Sequence, residues 1–356
     1  MKAMFSKISL LLMAAVLLLS GCGAAGSTNG ANTVGAQADS EGAASPEAKK
    51  LQVVTTFYPM YEFSKQVGGE YADVTALIPA GTEPHDWEPS AKDMAVLKEA
   101  DVFVYNGIVE GWADQALDSA TNEKRIVVEA SSSIELAEGG EDEHSHGEEA
   151  HGAAGDANAE ADTDAEHDHD HAAEDEEAAH EHSLDPHVWL SPKLAQAEVA
   201  AIQEAFAKAD PAHADQYKAN ADAYIAKLKE LDDAYKAGLA GAKRTEFVTQ
   251  HAAFGYLARE YGLTQVPISG LSPDQEPSPE QMAEIVKLAK EQQIKTIFFE
   301  TLVDPKIAST IASEIGAKTA VLNPLEGLTE EETADGLDYI GVMKNNLEAL
   351  KLALNE

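Results

Sequence analysis

Two α/β lobes with mostly parallel sheets, joined by one long rigid helix, form the fold class that this chain predicts. Short apolar runs alternate with helical patterns over residues 51–129 and again over residues 246–354, the signature of successive βαβ units. Between them, residues 192–239 keep a helical pattern with no glycine before Gly238, long enough to bridge two bodies.

In order, the first lobe reads as strand 51–57, amphipathic helix 59–67, strand 74–78, helix 92–100, strand 102–105, helix 112–121 and strand 125–129. Helical stretches 192–209 and 211–239 follow. The second lobe reads as strand 246–249, helix 254–261, strand 265–268, helix 279–292, strand 296–300, helix 305–315, strand 318–322 and closing helix 339–354. The expected organisation is therefore an N-terminal lobe at 51–210, a linking helix at 211–241 and a C-terminal lobe at 242–356. Open parallel sheets bind ligands beyond the carboxyl ends of their strands, so the cleft between the lobes is the expected site.

Ahead of the lobes, Lys2 and Lys7 precede an apolar run at residues 8–19 that ends in Leu19-Ser20-Gly21-Cys22. Residues 1–21 read as a secretory signal, too short for a membrane span. The run resembles the lipobox of bacterial lipoproteins, which implies lipidation of Cys22 and a place on the extracytoplasmic face of the cell membrane. Residues 22–50, rich in Gly, Ala, Ser, Asn and Thr, read as a flexible tether. Cys22 is the single cysteine, so no intramolecular disulfide can form. A formal net charge of −38 argues against nucleic acid as a partner. Nothing in the chain calls for more than a monomer.

Eight of the twelve histidines lie in one stretch, residues 138–183, together with eighteen carboxylates and no Lys or Arg. Without an apolar pattern, this stretch is expected to be disordered and to hold metal ions weakly, raising their concentration near the cleft. Three of the other four histidines stand alone. His85 lies in Pro84-His85-Asp86-Trp87-Glu88-Pro89-Ser90 after a predicted strand, and His187 lies in Asp185-Pro186-His187-Val188-Trp189 where the chain leaves the acidic stretch. His251 follows the predicted strand 246–249 in Gln250-His251-Ala252-Ala253-Phe254. Imidazole nitrogen with carboxylate oxygen suits zinc and its first-row neighbours, whereas calcium and magnesium take oxygen alone. Together the three histidines point to a transition-metal site.

These segments resemble the cluster A-I solute-binding lipoproteins of bacterial ABC metal importers, in particular the zinc-specific, ZnuA-like members. The resemblance runs from Leu51 to Glu356. It implies Zn²⁺ as transported cargo, with His85 of Pro-His-x-Trp-Glu-Pro-Ser, His187 of Asp-Pro-His-x-Trp and His251 at the start of the second lobe as ligands. A fourth, carboxylate ligand is matched to Glu326 in Asn323-Pro324-Leu325-Glu326-Gly327, with Glu300 as the local competitor and water as a further option. It also implies delivery to an ABC permease and its ATPase, at the membrane to which Cys22 anchors the protein.

Three imidazoles and one carboxylate favour four-coordinate Zn²⁺ over Mn²⁺, which prefers more oxygen. The alternatives in other classes are a manganese-binding member of the same family, a surface adhesin, and a zinc hydrolase. Against the last, the chain lacks the His-Glu-x-x-His and Gly-x-Ser-x-Gly motifs, so no enzyme is expected.

Overall fold

The computed structural model describes residues 49–139 and 184–356. The expectations for the signal segment, Cys22, the tether up to residue 48 and residues 140–183 lie outside the described residues. Lys49–Glu356 forms one compact unit.

Within it, β1 (Leu51–Thr55), β2 (Ala72–Ala76), β3 (Val102–Tyr105) and β4 (Ile126–Glu129) make a parallel sheet in the order β2-β1-β3-β4. Helices α1 (Tyr58–Gly68), α2 (Ala91–Glu99) and α3 (Ala113–Ser119) connect its strands. The second lobe repeats the plan with β5 (Glu246–Thr249), β6 (Thr264–Pro267), β7 (Thr296–Phe299) and β8 (Lys318–Val321), parallel and ordered β6-β5-β7-β8. Its helices are α6 (Gly255–Tyr261), α7 (Pro279–Glu291), α8 (Lys306–Ile315), α9 (Glu330–Ala334) and α10 (Tyr339–Leu354). In each lobe the chain steps outward from its first strand, then crosses to the other side. The β1/β3 and β5/β7 junctions are thus the topological switch points, where a crevice opens.

Parallel strands covered on both faces must be apolar on both, and the side chains divide accordingly. Val53 and Phe298 face a continuous core, while Val54 and Ile297 face separate outer clusters with Leu97 and Phe103 in one lobe and Ile285 and Ile311 in the other. The continuous core runs through both lobes because of two long helices between them, α4 (Pro192–Ala209) and α5 (Ala214–Leu239). At 26 residues, α5 is about 39 Å long. It buries Tyr217, Ala221, Tyr224, Leu228, Leu231 and Tyr235, a three-to-four-residue spacing that keeps one face inward. That face meets α1 and α4 of the first lobe and α10 of the second. Tyr235 donates its hydroxyl to the Met343 carbonyl at 2.7 Å, tying α5 to α10.

Most boundaries differ from the sequence expectation by a residue or two, and the larger differences have visible causes. The linking helix begins at Ala214 rather than 211, because Pro211–His213 forms a separate 3-10 turn. Asp210 accepts hydrogen bonds there from His213 Nδ1 (2.6 Å) and the Tyr217 hydroxyl (2.9 Å), turning the chain. The first strand stops at Thr55, since Phe57 is already the N-cap of α1 and its ring is buried. β2 pairs from Ala72, two residues early. Helix α9 was not expected; a capping box between Thr329 and Glu332 nucleates it. Among the described residues, no helix is long and apolar enough to cross a membrane.

Candidate metal centre

His85 sits in the connection between β2 and α2, a stretch without regular structure that ends where Ser90 and Asp93 form the capping box of α2. Turns closed by Thr82 N–H to Pro79 O and Trp87 N–H to Pro84 O bend this loop, and Trp87 anchors it edge-on against Trp112 with centroids 5.2 Å apart. The Glu83 carboxylate accepts the His85 backbone N–H at 3.1 Å. His187 precedes the 3-10 turn Val188–Leu190 that leads into α4, and the Asp185 carboxylate accepts both its backbone N–H (3.0 Å) and its ring Nδ1–H (2.9 Å).

His251 lies just past the carboxyl end of β5, at the switch point of the second lobe. Glu300, just past β7, takes the same part for it: its Oε1 accepts the His251 backbone N–H at 3.1 Å and ring Nδ1–H at 2.6 Å. Because a carboxylate only accepts, each ring is held with hydrogen on Nδ1 and Nε2 turned to the cleft, the arrangement by which metal-binding histidines are oriented.

Glu326 follows β8. Leu325 before it has φ of +58°, a left-handed conformation costly for a residue with a side chain. The surroundings hold it there. The Leu325 N–H donates to Asn323 Oδ1 at 2.7 Å, and Asn323 exchanges N–H to Oδ1 (2.9 Å) and Nδ2–H to carbonyl (2.7 Å) bonds with Asn346 of α10. Trp189, two residues beyond His187, donates its indole N–H to the Pro324 carbonyl at 2.8 Å. These bonds fasten the Glu326 turn to the His187 segment. Gly327 completes the turn where an added Cβ would stand 3.0 Å from Leu302 Cδ1 and 3.5 Å from the Thr82 carbonyl, so the two loops approach closely.

All four side chains converge. Glu326 Oε1 is 3.1 Å from His85 Nε2, 3.4 Å from His187 Nε2 and 3.3 Å from His251 Nε2, and the last two nitrogens are 3.3 Å apart. One donor atom from each of the four lies within 4.8 Å of every other. His187 and His251 are fully buried, Glu326 is 1% exposed and His85 12%. A tetrahedral ion with ligands at about 2.0–2.1 Å separates them by about 3.3–3.4 Å, which these distances match. There is room among the donors for an ion and not for an organic molecule. A neighbouring cavity of about 600 Å³ is lined by Tyr58, Glu62, Lys65, Asp338 and Glu326, so Glu326 borders both it and the cluster, whereas the three histidines do not line it.

Charge follows from this crowding. Burial disfavours imidazolium at His187, but hydrogen bonds to Asp185 and Glu326 outweigh it and raise the pKa above the ordinary value. At His251, burial is again outweighed, here by the Glu300 and Glu326 carboxylates, and the pKa stands well above the ordinary value. Burial would raise Glu326, yet the His251 charge and hydrogen bonds from the three rings hold it well below the usual carboxylate range. The cluster is built to hold positive charge, as protons or as a cation.

The three histidines and Glu326 singled out from the sequence thus meet at one point. Glu300 does not join them; it stands behind His251, on the far nitrogen. Asp185, Asn346 and Trp189 were given no role by sequence reasoning. For Asp185 a signal existed, its place two residues before His187, whereas Asn346 lies on a helix whose pattern shows only an amphipathic face.

Comparison with known proteins agrees with this geometry. The high-affinity zinc uptake system protein ZnuA of Bacillus subtilis is 48% identical over 354 residues, covering 99% of both chains. The zinc-binding lipoprotein AdcA of Streptococcus pneumoniae is 47% identical over 85% of this chain, which spans 55% of AdcA. The crystal structure of the Zn(II)-bound ZnuA-like domain of that protein is 43% identical, covers 86% of this chain and all of its own, and superposes with a TM-score of 0.67. The laminin-binding protein of Streptococcus agalactiae, described as bifunctional with adhesin and metal-transporting activity, is 35% identical with a TM-score of 0.69, covering 85% of this chain and 99% of its own. Residues 53–353 match the family described as zinc-uptake complex component A, periplasmic, and the chain belongs to that family.

Proposed function

We propose that this protein captures one Zn²⁺ in the cleft with His85, His187, His251 and Glu326 and delivers it to an ABC-type permease and its ATPase for high-affinity zinc uptake. The observation that carries the reading is the convergence of three imidazole nitrogens and one carboxylate oxygen within 4.8 Å of one another, with Glu326 Oε1 to each ring and His187 to His251 at the spacing of a tetrahedral shell. The donor set favours zinc over manganese, which takes more oxygen and more ligands. Carriage rather than catalysis is the role, with the ion as cargo. Cys22 serves as the lipid anchor, keeping the lobes at the extracytoplasmic face of the membrane as a monomer, with residues 138–183 supplying weak sites nearby. The names of the zinc-uptake and zinc-binding relatives support this reading.

Competitive zinc titration with metal analysis of the mature protein, with and without residues 140–183, tests it. One tight equivalent that survives the deletion is expected; weak, multiple sites that vanish with the stretch would remove the reading. A second role, as a surface adhesin, draws on the likeness to the laminin-binding protein. Binding to immobilised laminin that persists after chelation is its test, and no binding above a charge-matched control would end it.

A further inference from the structure

The helix that follows His251 holds the segment that carries His187. Four and five residues after His251, Gly255 and Tyr256 open α6, so a ligand of the second lobe and this pair stand on one short turn of chain. Tyr256 is 6% exposed. Its hydroxyl donates to the Asp185 carbonyl at 2.8 Å and accepts the Ala137 backbone N–H at 2.9 Å. Ala137 and Asp185 are themselves joined, Asp185 N–H to Ala137 O at 2.9 Å, and next to them Glu138 and Leu184 form an antiparallel bridge. One hydroxyl therefore closes the base from which residues 140–183 depart and fastens it to the second lobe.

Gly255 makes the approach possible. A Cβ there would stand 2.7 Å from Asp185 Oδ2, inside contact distance. Arg259, one turn further, lies over the Tyr256 ring at 4.6 Å, with Nη2 3.9 Å from the same carboxylate oxygen. Asp185 is thus held by its carbonyl and flanked at Oδ2, while Oδ1 takes both the backbone N–H and the ring Nδ1–H of His187.

We propose that Tyr256, with the space left by Gly255, is a positioning residue for the metal site: it fixes Asp185, and through Asp185 the ring of His187, in register with His251. This rests on the metal reading above. A ligand carried by the N-terminal lobe then moves with the second lobe, and outer groups of this kind alter metal affinity by about 10–100-fold.

The test uses Tyr256→Phe, Gly255→Ala, Asp185→Asn and the double variant Tyr256→Phe/Asp185→Asn in the full mature chain. Zinc affinity by competition, the visible absorption of the Co²⁺-loaded site and the thermal midpoint of the metal-free protein are measured. Tyr256→Phe and Gly255→Ala should each weaken zinc about tenfold and shift the Co²⁺ bands at temperatures well below the metal-free midpoint, which both changes lower, the first by unpairing buried backbone groups and the second by crowding Asp185 Oδ2. The double variant should be no weaker than Asp185→Asn alone, because the hydroxyl acts through that residue. Parental affinity and spectrum in Tyr256→Phe, or losses that multiply in the double variant, would overturn the assignment while leaving the metal site intact. A parent protein with no tight zinc site would overturn both.

Discussion

The two lobes share a strand order, yet their switch points hold opposite chemistries. Past β5 and β7 of the second lobe stand His251 and Glu300, a buried ring and a buried carboxylate 2.6 Å apart, opening on the cleft. Past β1 and β3 of the first lobe stand Thr56 and Asn106, closed over by two buried acids with no histidine among them. Glu110 accepts from the Thr56 hydroxyl (2.5 Å) and from the backbone N–H groups of Asn106 (3.0 Å) and Gly107 (3.1 Å). Among the described residues, Glu198 of α4 accepts only from Asn106 Nδ2, at 3.4 Å. Burial, with Glu110 nearby, pushes Glu198 up to about 8, whereas Glu326, equally buried but ringed by imidazoles, is held far below the usual range. The same crevice becomes a cation site or a neutral seal according to whether nitrogen ligands face the acid.

Removing the nitrogen from the second-lobe crevice should have the largest effect. Structural zinc sites are worth about 10–16 kcal/mol over four ligands, or about 2.5–4 kcal/mol each, so His251→Ala should weaken zinc by about two to three orders of magnitude. An unchanged tight constant in a competition titration would remove His251 from the shell. His85→Ala should cost less, about tenfold, because its ring is partly exposed, its loop is fastened at the backbone and water can take its place. A loss equal to that of His251→Ala would contradict the distinction drawn between loop and crevice.

Protonation sharpens the comparison. Zinc takes unprotonated nitrogen, and His251 and His187 have raised pKa values, so binding must displace protons at and below neutral pH. Affinity should therefore fall as pH falls, by about tenfold per unit for each proton released. Calorimetry in buffers of different ionisation enthalpy counts those protons; His251→Ala should release fewer than the parent, and an equal count would refute the assignment.

The first-lobe seal should show itself in stability and not in affinity. Glu198 keeps its proton in the fold up to about pH 8 but loses it near 4.5 when unfolded. Its contribution is present in full below the unfolded value and disappears as pH rises through the folded one. Glu198→Gln should flatten the decline in metal-free stability between about pH 5 and pH 9, an effect of a few kcal/mol, at about 1.4 kcal/mol per unit. Denaturant melts across that range test it, and a decline as steep as the parent's would mean that Glu198 is already ionised in the fold.

Much of this was legible in the residues. Strands covered on both faces leave continuous apolar runs, such as Val102–Tyr105 and Thr296–Phe299, and α5 leaves a long amphipathic pattern, so class and order of elements could be read. His85, His187 and His251 stood out because isolated histidines beside Pro, Trp and strand ends are conspicuous. Glu326 was reached by resemblance alone. In a chain with 63 acidic residues, no composition or spacing marks one carboxylate as turned into the cluster and another, Glu300, as standing behind His251. That choice depends on Leu325 in a left-handed turn and on Asn346, 23 residues from the Asn323 it holds.

By itself, then, the sequence determined the alternation of strands and helices, the long helix and the types of donor atom, since these follow from local periodicity and side-chain chemistry. Only the tertiary structure decided which donors meet, which carboxylate points into the cleft and which stands behind a ring, and that Tyr256 closes the base of His187. Those outcomes join residues 49 to 241 positions apart, as between His251 and Glu300 or His85 and Glu326. Contacts at such separations are set by how the two sheets and α5 pack, and no local pattern carries that information.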